Sequence, residues 1–171
     1  SSGAIGFPLS QNTSGGTATF PYTITNLPGS VFTMNGSFAG TATLTGATAS
    51  GTLSVLKATS YFEYLTTPTV QYSDQVTLTA RLMSNGLPVN DKPVQFWLNR
   101  GGTWILLGTS APTVNGVGSL TLRAWEVPNS YTVEARFIED SNFYGSTRQS
   151  TWVINKEQLI LSGTWNRKGA S

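Results

Sequence analysis

Acid–base chemistry in this chain would have to come from carboxylates, because the sequence contains no His and no Cys. Those two residue types supply the commonest general base, the thiolate nucleophile and many metal ligands. Glu139 and Asp140 form the only adjacent acidic pair. They fall in a predicted loop, and adjacency in a loop is not the spacing of two carboxylates that act on one bond. We therefore predict no catalytic residues and no enzymatic activity.

The same loop could offer oxygen atoms to a metal ion. Asp140 and Asn142 carry side-chain oxygens of the kind that Ca²⁺ binds, but the ligand spacing of an EF-hand is missing. A solvated turn is the interpretation that we favour, and a weak calcium site is the alternative. No other cofactor is predicted.

The chain holds five Trp and six Tyr residues, and an exposed aromatic ring can stack against a sugar ring. Trp97 and Trp125 alternate in opposite phase to Phe96 and Ala124, so both are expected on the outer surface. Exposed aromatic residues also pack against neighbouring domains. Trp97 and Trp125 are therefore our candidate binding surface, for a glycan or for a protein partner.

Two Asn and two Lys residues could carry modifications. Asn12 and Asn35 each begin the Asn-X-Ser/Thr acceptor pattern of N-glycosylation, which arises easily by chance in a chain rich in Thr and Ser. Lys57 and Lys156 recur at equivalent positions of the repeat described below. A Lys–Asn crosslink is one interpretation of that recurrence, and a solvated junction between copies is the one that we favour.

The elements that must position these residues are predicted to be strands. Charged residues make up 11% of the sequence, about half of what a soluble domain usually carries, so uncharged polar groups must provide solubility. A composition rich in Thr and aromatic residues and poor in helix formers favours strands and turns. The predicted class is all-β.

Charge and cysteine content limit the partners and the location. A net charge of +2 from scattered residues gives no basic patch for nucleic acid or for anionic lipid. No apolar run approaches the roughly 18 residues of a membrane span, so we predict no membrane insertion. A Cys-free secreted module is typical of bacterial surfaces, since small eukaryotic ectodomains usually carry disulfides. The expected location is extracellular, at a cell surface.

The chain also resembles itself at an interval of about one hundred residues. Residues 28–38 resemble residues 128–137, and the offset between them becomes 99 from Phe32 onward. With the same offset, residues 53–55 match residues 152–154.

The alignment divides the chain into three parts. One complete copy is predicted at residues 58–156. The C-terminal part of another copy precedes it at residues 1–57, and the first strand of a third follows at residues 157–171. The predicted architecture is therefore a tandem array.

Within the complete copy, strict alternation of apolar and polar residues predicts the strands. Asn85-Gly86 and Asn115-Gly116 predict tight turns between them. About seven strands in some 99 residues match the size of an immunoglobulin-like sandwich. The predicted inward residues include Val76, Leu78, Ala80, Leu82, Val94, Phe96, Leu98, Leu120, Leu122, Ala124, Tyr131, Val133, Ala135, Phe137, Trp152 and Ile154.

Five segments of this copy resemble the bacterial Ig-like domains of large surface proteins, in particular the group numbered as the third. They are Gln-Val-Thr-Leu-Thr-Ala from residue 75, residues 86–96, Leu-Gly-Thr from residue 107, Asn115-Gly116 and residues 130–140. The resemblance implies repeats that serve as spacers in adhesins and stalks or that present a binding tip.

We therefore expect a structural or adhesive segment of an extracellular surface protein, acting as a spacer, a stalk or a component of a filament or lattice. Its expected partners are neighbouring repeats or identical chains. The alternative is a module that binds a glycan or a surface protein through exposed aromatic residues.

Overall fold

The computed structural model describes residues 12–20 and 30–158. The chain divides into two compact units, Ser1–Val55 and Leu56–Ser171. The described residues contain no helix, and hence none long and apolar enough to cross a membrane. The predicted first strand of a following repeat lies, from residue 159 onward, outside the described residues.

The described part of the first unit is dominated by one antiparallel hairpin, formed by β1 (Ser30–Phe38) and β2 (Ala47–Val55). A short bridge between Ser14 and Thr17 precedes it. The hairpin side chains are exposed or half-buried, and none is fully buried.

The described part of the second unit contains nine strands in two sheets. The strands are β3 (Tyr61–Thr66), β4 (Val70–Gln71), β5 (Gln75–Ser84), β6 (Leu87–Pro88), β7 (Gln95–Arg100), β8 (Thr103–Thr109), β9 (Val117–Arg123), β10 (Asn129–Phe137) and β11 (Ser146–Asn155). The five-stranded sheet has the order β4-β11-β10-β7-β8, and in the other sheet β5 pairs with β3, β6 and β9. These strands pair antiparallel, except that β4 pairs parallel with β11.

This arrangement is an immunoglobulin-like β-sandwich, which confirms the predicted fold class. The opening segment contributes β3 to one sheet and β4 to the other. The hairpins β7–β8 and β10–β11 lie in the five-stranded sheet, whereas β5 and β9 pair in the other, so the chain crosses between the sheets before and after β9. Tyr131, at the start of β10, donates its hydroxyl to the carbonyl oxygen of Val127 at 2.6 Å, which is the tyrosine corner of such domains. Val133, two residues on, is fully buried where antibody domains place a cysteine.

The core lies between the two sheets and contains most of the inward residues that alternation predicts. Three of the predicted residues, Leu120, Leu122 and Tyr131, are only partly buried against it, and Phe62, Leu65 and Val89 belong to it without having been predicted. Leu78 and Leu82 of β5, together with Phe96 and Leu98 of β7, have no exposed surface. Trp152 is also fully buried, and its indole N–H has no hydrogen-bond partner within the described residues. The apolar face of each long strand is therefore covered by the opposite sheet.

Candidate functional site

The 139–145 loop, which joins β10 to β11, contains the acidic pair found in the sequence. Asp140 Oδ1 accepts hydrogen bonds from the backbone N–H groups of Asn142 at 2.8 Å and Phe143 at 2.9 Å. Its Oδ2 lies 2.6 Å from Nζ of Lys92, which belongs to the segment before β7. The carboxylate therefore organises the backbone of its own loop and fastens that loop to a second segment.

These contacts determine how Asp140 ionises. Desolvation raises the pKa of this carboxyl, but the hydrogen bonds from Lys92, Asn142 and Phe143 and the charge of Lys92 outweigh desolvation. The pKa of Asp140 therefore lies below its usual value. The group is a carboxylate at neutral pH, and no step of proton transfer is indicated by its surroundings.

The same loop holds the segment that leads into β3. Glu139 Oε1 lies 2.5 Å from Nζ of Lys57, whose ammonium also stands 6.0 Å from the centre of the Tyr144 ring. Ala58 donates its N–H to the carbonyl of Asn142, and Tyr144 donates to the carbonyl of Ala58, both at 2.9 Å. Two backbone hydrogen bonds and one ion pair thus attach the start of the second unit to this loop.

The geometry gives little support to a calcium ion at Asp140 and Asn142. Both carboxylate oxygens of Asp140 already accept protein donors, and the Lys92 ammonium would repel a cation at that position. Asn142 Oδ1 accepts a hydrogen bond from Ser141. Among residues 12–20 and 30–158, no three acidic residues come together as metal ligands.

The outer face of the five-stranded sheet carries an aromatic cluster that includes one of the two predicted Trp residues. The guanidinium of Arg136 lies 4.6 Å from the Trp97 ring centre and 5.3 Å from that of Trp104. Arg136 also donates to Glu134, which is 6% exposed and accepts a second hydrogen bond from Gln149 at 2.7 Å. We call Trp97, Trp104 and Arg136 the Trp–Arg–Trp cluster.

Sequence reasoning missed Trp104 and Arg136. Alternation had placed Trp97 outward, and its indole N–H donates to Gln95 at 3.1 Å on the same face. Trp104 joins it because Trp104 pairs with Asn99 across the β7–β8 hairpin. A register shift between Phe96 and Trp97 changes the pairing of β7 with β8 on the side away from the turn. No local pattern in the sequence predicts this shift.

Trp125, the other predicted binding residue, belongs to a different cluster. It lies between β9 and β10 and is 60% exposed. Its ring meets that of Tyr72 edge to face at 5.7 Å, and Arg123 stands 6.0 Å from its centre. Trp97 and Trp125 therefore have separate neighbours, and a site built on both of them gains no support from these contacts.

The predicted glycosylation acceptors are accessible. Asn12 precedes the short bridge of the first unit, and Asn35 lies on β1; both are exposed. Modification of either residue stays a prediction.

No protein-family profile and no curated protein matches the chain. Among solved structures, a chimeric titin Z1Z2 is similar over 58% of this chain and 98% of that chain, at 24% identity and a TM-score of 0.38. Murine CRIg is similar over 56% and 98%, at 15% identity and 0.36. The D00-D0 domain of intimin is similar over 72% of this chain and 64% of that chain, at 18% identity and 0.37. The strand order and register, rather than these likenesses, identify the fold.

Proposed function

We propose that this chain is a segment of a tandem array of immunoglobulin-like domains with a structural or adhesive role at a cell surface. The observation that carries the proposal is the recurrence of one hairpin at an offset of 99 residues. In the first unit Ser30 pairs with Val55 and Phe38 with Ala47. In the second, the residues 99 positions later pair in the same register, from Asn129 with Ile154 to Phe137 with Ser146.

The turn inside each hairpin recurs as well. Thr41 Oγ1 accepts the N–H groups of Thr43 at 3.3 Å and Leu44 at 3.1 Å, as Asp140 accepts those of the corresponding residues in the second unit. A Cβ on Gly46 would lie 2.9 Å from a backbone oxygen, and one on the matching Gly145 would lie 3.0 Å from another. The same backbone path is thus built with different side chains.

In this proposal each repeat buries its own core, and the array extends from the surface as a spacer or stalk or assembles into a filament. The partners would be neighbouring repeats or identical chains. A surface solvated by uncharged polar groups and the low content of charge are compatible with that role. In such arrays the stability is approximately a sum of unit and nearest-neighbour contributions.

Small-angle X-ray scattering on proteins with one, two and three copies of residues 58–156 in series tests the proposal. We expect the maximum dimension to grow by a constant increment with each copy, and the cross-section to stay the same. A compact profile whose dimension grows only with the cube root of mass would contradict an extended array.

A glycan-binding role is the second candidate, and the Trp–Arg–Trp cluster is the observation that favours it. Its two indole rings lie on one sheet face beside the Arg136 guanidinium, and the side-chain amide of Gln95 accepts the Trp97 N–H. Flat rings with a neighbouring guanidinium and amide suit a pyranose.

A glycan array tests this second candidate. Trp97→Ala and Trp104→Ala should each abolish signals that the unmodified chain gives, whereas Trp125→Ala, in its separate cluster, should leave them. Equal signals from all three variants would rule out the cluster as the sugar site.

A further inference from the structure

One side of the sandwich in the second unit presents an unpaired strand edge. β8 is the outer strand of the five-stranded sheet, and within the described residues it pairs only with β7. Its seven residues, Thr103–Thr109, therefore direct backbone N–H and C=O groups away from the sheet along one edge. Such an edge can pair with another strand.

This edge lacks the charged side chains that natural sheets often place there. β8 and the loop that follows it to residue 116 contain no Asp, Glu, Lys or Arg. Sheet edges are normally blunted by charged side chains, proline, bulges or very short strands. Of these devices β8 has one extra residue, Leu107, where its register with β7 shifts. The opposite side of the sandwich also carries charge, because β3 has Glu63, paired with Arg81, and β4 there has only two residues.

An exposed apolar side chain lies on this edge strand. Leu106, in the middle of β8, is 45% exposed although its strand neighbour across the hairpin is Trp97. A second strand paired with β8 would cover the Leu106 side chain. Its backbone would form hydrogen bonds with the N–H and C=O groups of β8 that point away from the sheet.

We propose that β8 is a self-association surface, pairing antiparallel with β8 of a second copy of this chain to form one sheet continuous across a twofold axis. An open strand edge specifies an extended strand as its partner, since only a strand supplies alternating donors and acceptors at the right spacing. A second copy brings an equally uncharged edge, so no charge is left without a counterion. The contact is isologous, because the same residues face each other, and it closes as a dimer. The inference is independent of the proposed tandem array.

Sedimentation equilibrium of the whole chain over a range of concentrations tests the proposal, with two lysine variants. Leu106→Lys places like charges opposite each other near the twofold axis, so we expect dimerisation to weaken by about tenfold or more and to recover with added salt. Leu87→Lys is the matched control, because Leu87 is 69% exposed on β6 and away from β8. It should dimerise like the unmodified chain.

Amide hydrogen exchange supplies the second readout. The β8 amides on the open edge should gain protection as the protein concentration rises, and Leu106→Lys should remove that gain. A chain that stays monomeric at protein concentrations up to about 1 mM would overturn the proposal, because the Kd of dimerisation would then be weaker than about 1 mM. A dimer weakened equally by both variants, or one whose β8 amides gain no protection, would overturn it as well. Circular dichroism confirms that each variant is folded.

Discussion

Asp140 couples the 139–145 loop to Lys92, and its ionisation should be visible in the stability of the fold. Because its pKa is lower in the folded chain than in the unfolded one, its stabilisation is complete above about pH 4 and is lost as the pH falls through the folded-state pKa. Asp140→Asn should cost about 1.5–3 kcal/mol at pH 7, the usual range for a hydrogen bond to a charged group. Denaturant unfolding as a function of pH measures both effects.

Glu139→Gln is the control for that experiment. The Glu139 side chain is 52% exposed, so solvent screens its ion pair with Lys57 and its replacement should change the free energy of unfolding by less than about 0.5 kcal/mol. An Asp140→Asn deficit that is the same at pH 7 and pH 2 would contradict the assigned role of the charge.

The sequence identified Asp140 as a loop residue but could not identify its partner. Lys92 lies in another loop, and only the pairing of β7 with β10 brings the two segments to the same end of the sheet. The side chain of Asn142 was a candidate metal ligand. In the structure, the backbone carbonyl of Asn142 accepts a hydrogen bond from the N–H of Ala58. Residue type indicates which chemistry is available, and the fold decides which atoms are used.

The tight turns show what could be predicted for whole elements. Asn-Gly at two places predicted tight turns, and both Asn115 and Gly116 have positive φ, at 51° and 76°. The sequence did not indicate that the second turn packs against β5. Leu82 donates its N–H to the Gly116 carbonyl at 2.7 Å, so this turn is attached directly to a buried residue of β5.

Gly116→Ala should therefore destabilise the fold more than the turn conformation alone requires. A Cβ at residue 116 would lie 2.5 Å from the Leu82 carbonyl oxygen, and backbone would have to move. Gly101→Ala is the matched control, since Gly101 has φ of 57° but nothing within 4 Å of an added Cβ.

We expect the control to cost about 1–2 kcal/mol from the left-handed backbone alone, and Gly116→Ala to cost clearly more. Urea unfolding of the two variants makes the comparison. Equal losses would mean that the contact with Leu82 relaxes freely.

Strand positions could be read from the sequence more completely than strand partners. Alternation identified the inward faces of β5 and β7 because burial on one side of a strand has a period of two. It could not place Trp104 on the same face as Trp97 around Arg136, since that arrangement depends on the registers of β7 with β8 and with β10. The same limit applies to the free edge of β8, which is a property of sheet order and has no local pattern.

For the molecule as a whole, the recurring hairpin shows the same local structure once with buried side chains and once without them. The two copies share register and turn, so the backbone path is encoded within about 26 residues of each. Their surroundings differ: β10 and β11 pack against the opposite sheet, whereas β1 and β2 carry exposed or half-buried side chains throughout. Stability should follow burial and not the hairpin itself.

Phe38 and Phe137 make that expectation testable, because they are the same residue type at equivalent positions of the repeat. Phe137 is 4% exposed, and Phe38 is 45% exposed. Phe137→Ala should cost about 3–5 kcal/mol, as removal of a buried aromatic ring does. Phe38→Ala should change the free energy of unfolding by less than about 0.5 kcal/mol, as an exposed substitution does.

Chemical denaturation followed by far-UV circular dichroism measures both values, because the strands of both units contribute to that signal. Tryptophan fluorescence then isolates the second unit, since all five Trp residues, the fully buried Trp152 among them, belong to Leu56–Ser171. A large loss from Phe38→Ala would mean that β1 and β2 bury a core of their own in solution, and burial would then recur with the hairpin. A loss from Phe137→Ala alone, seen with both probes, would place the measured cooperative transition in the second unit.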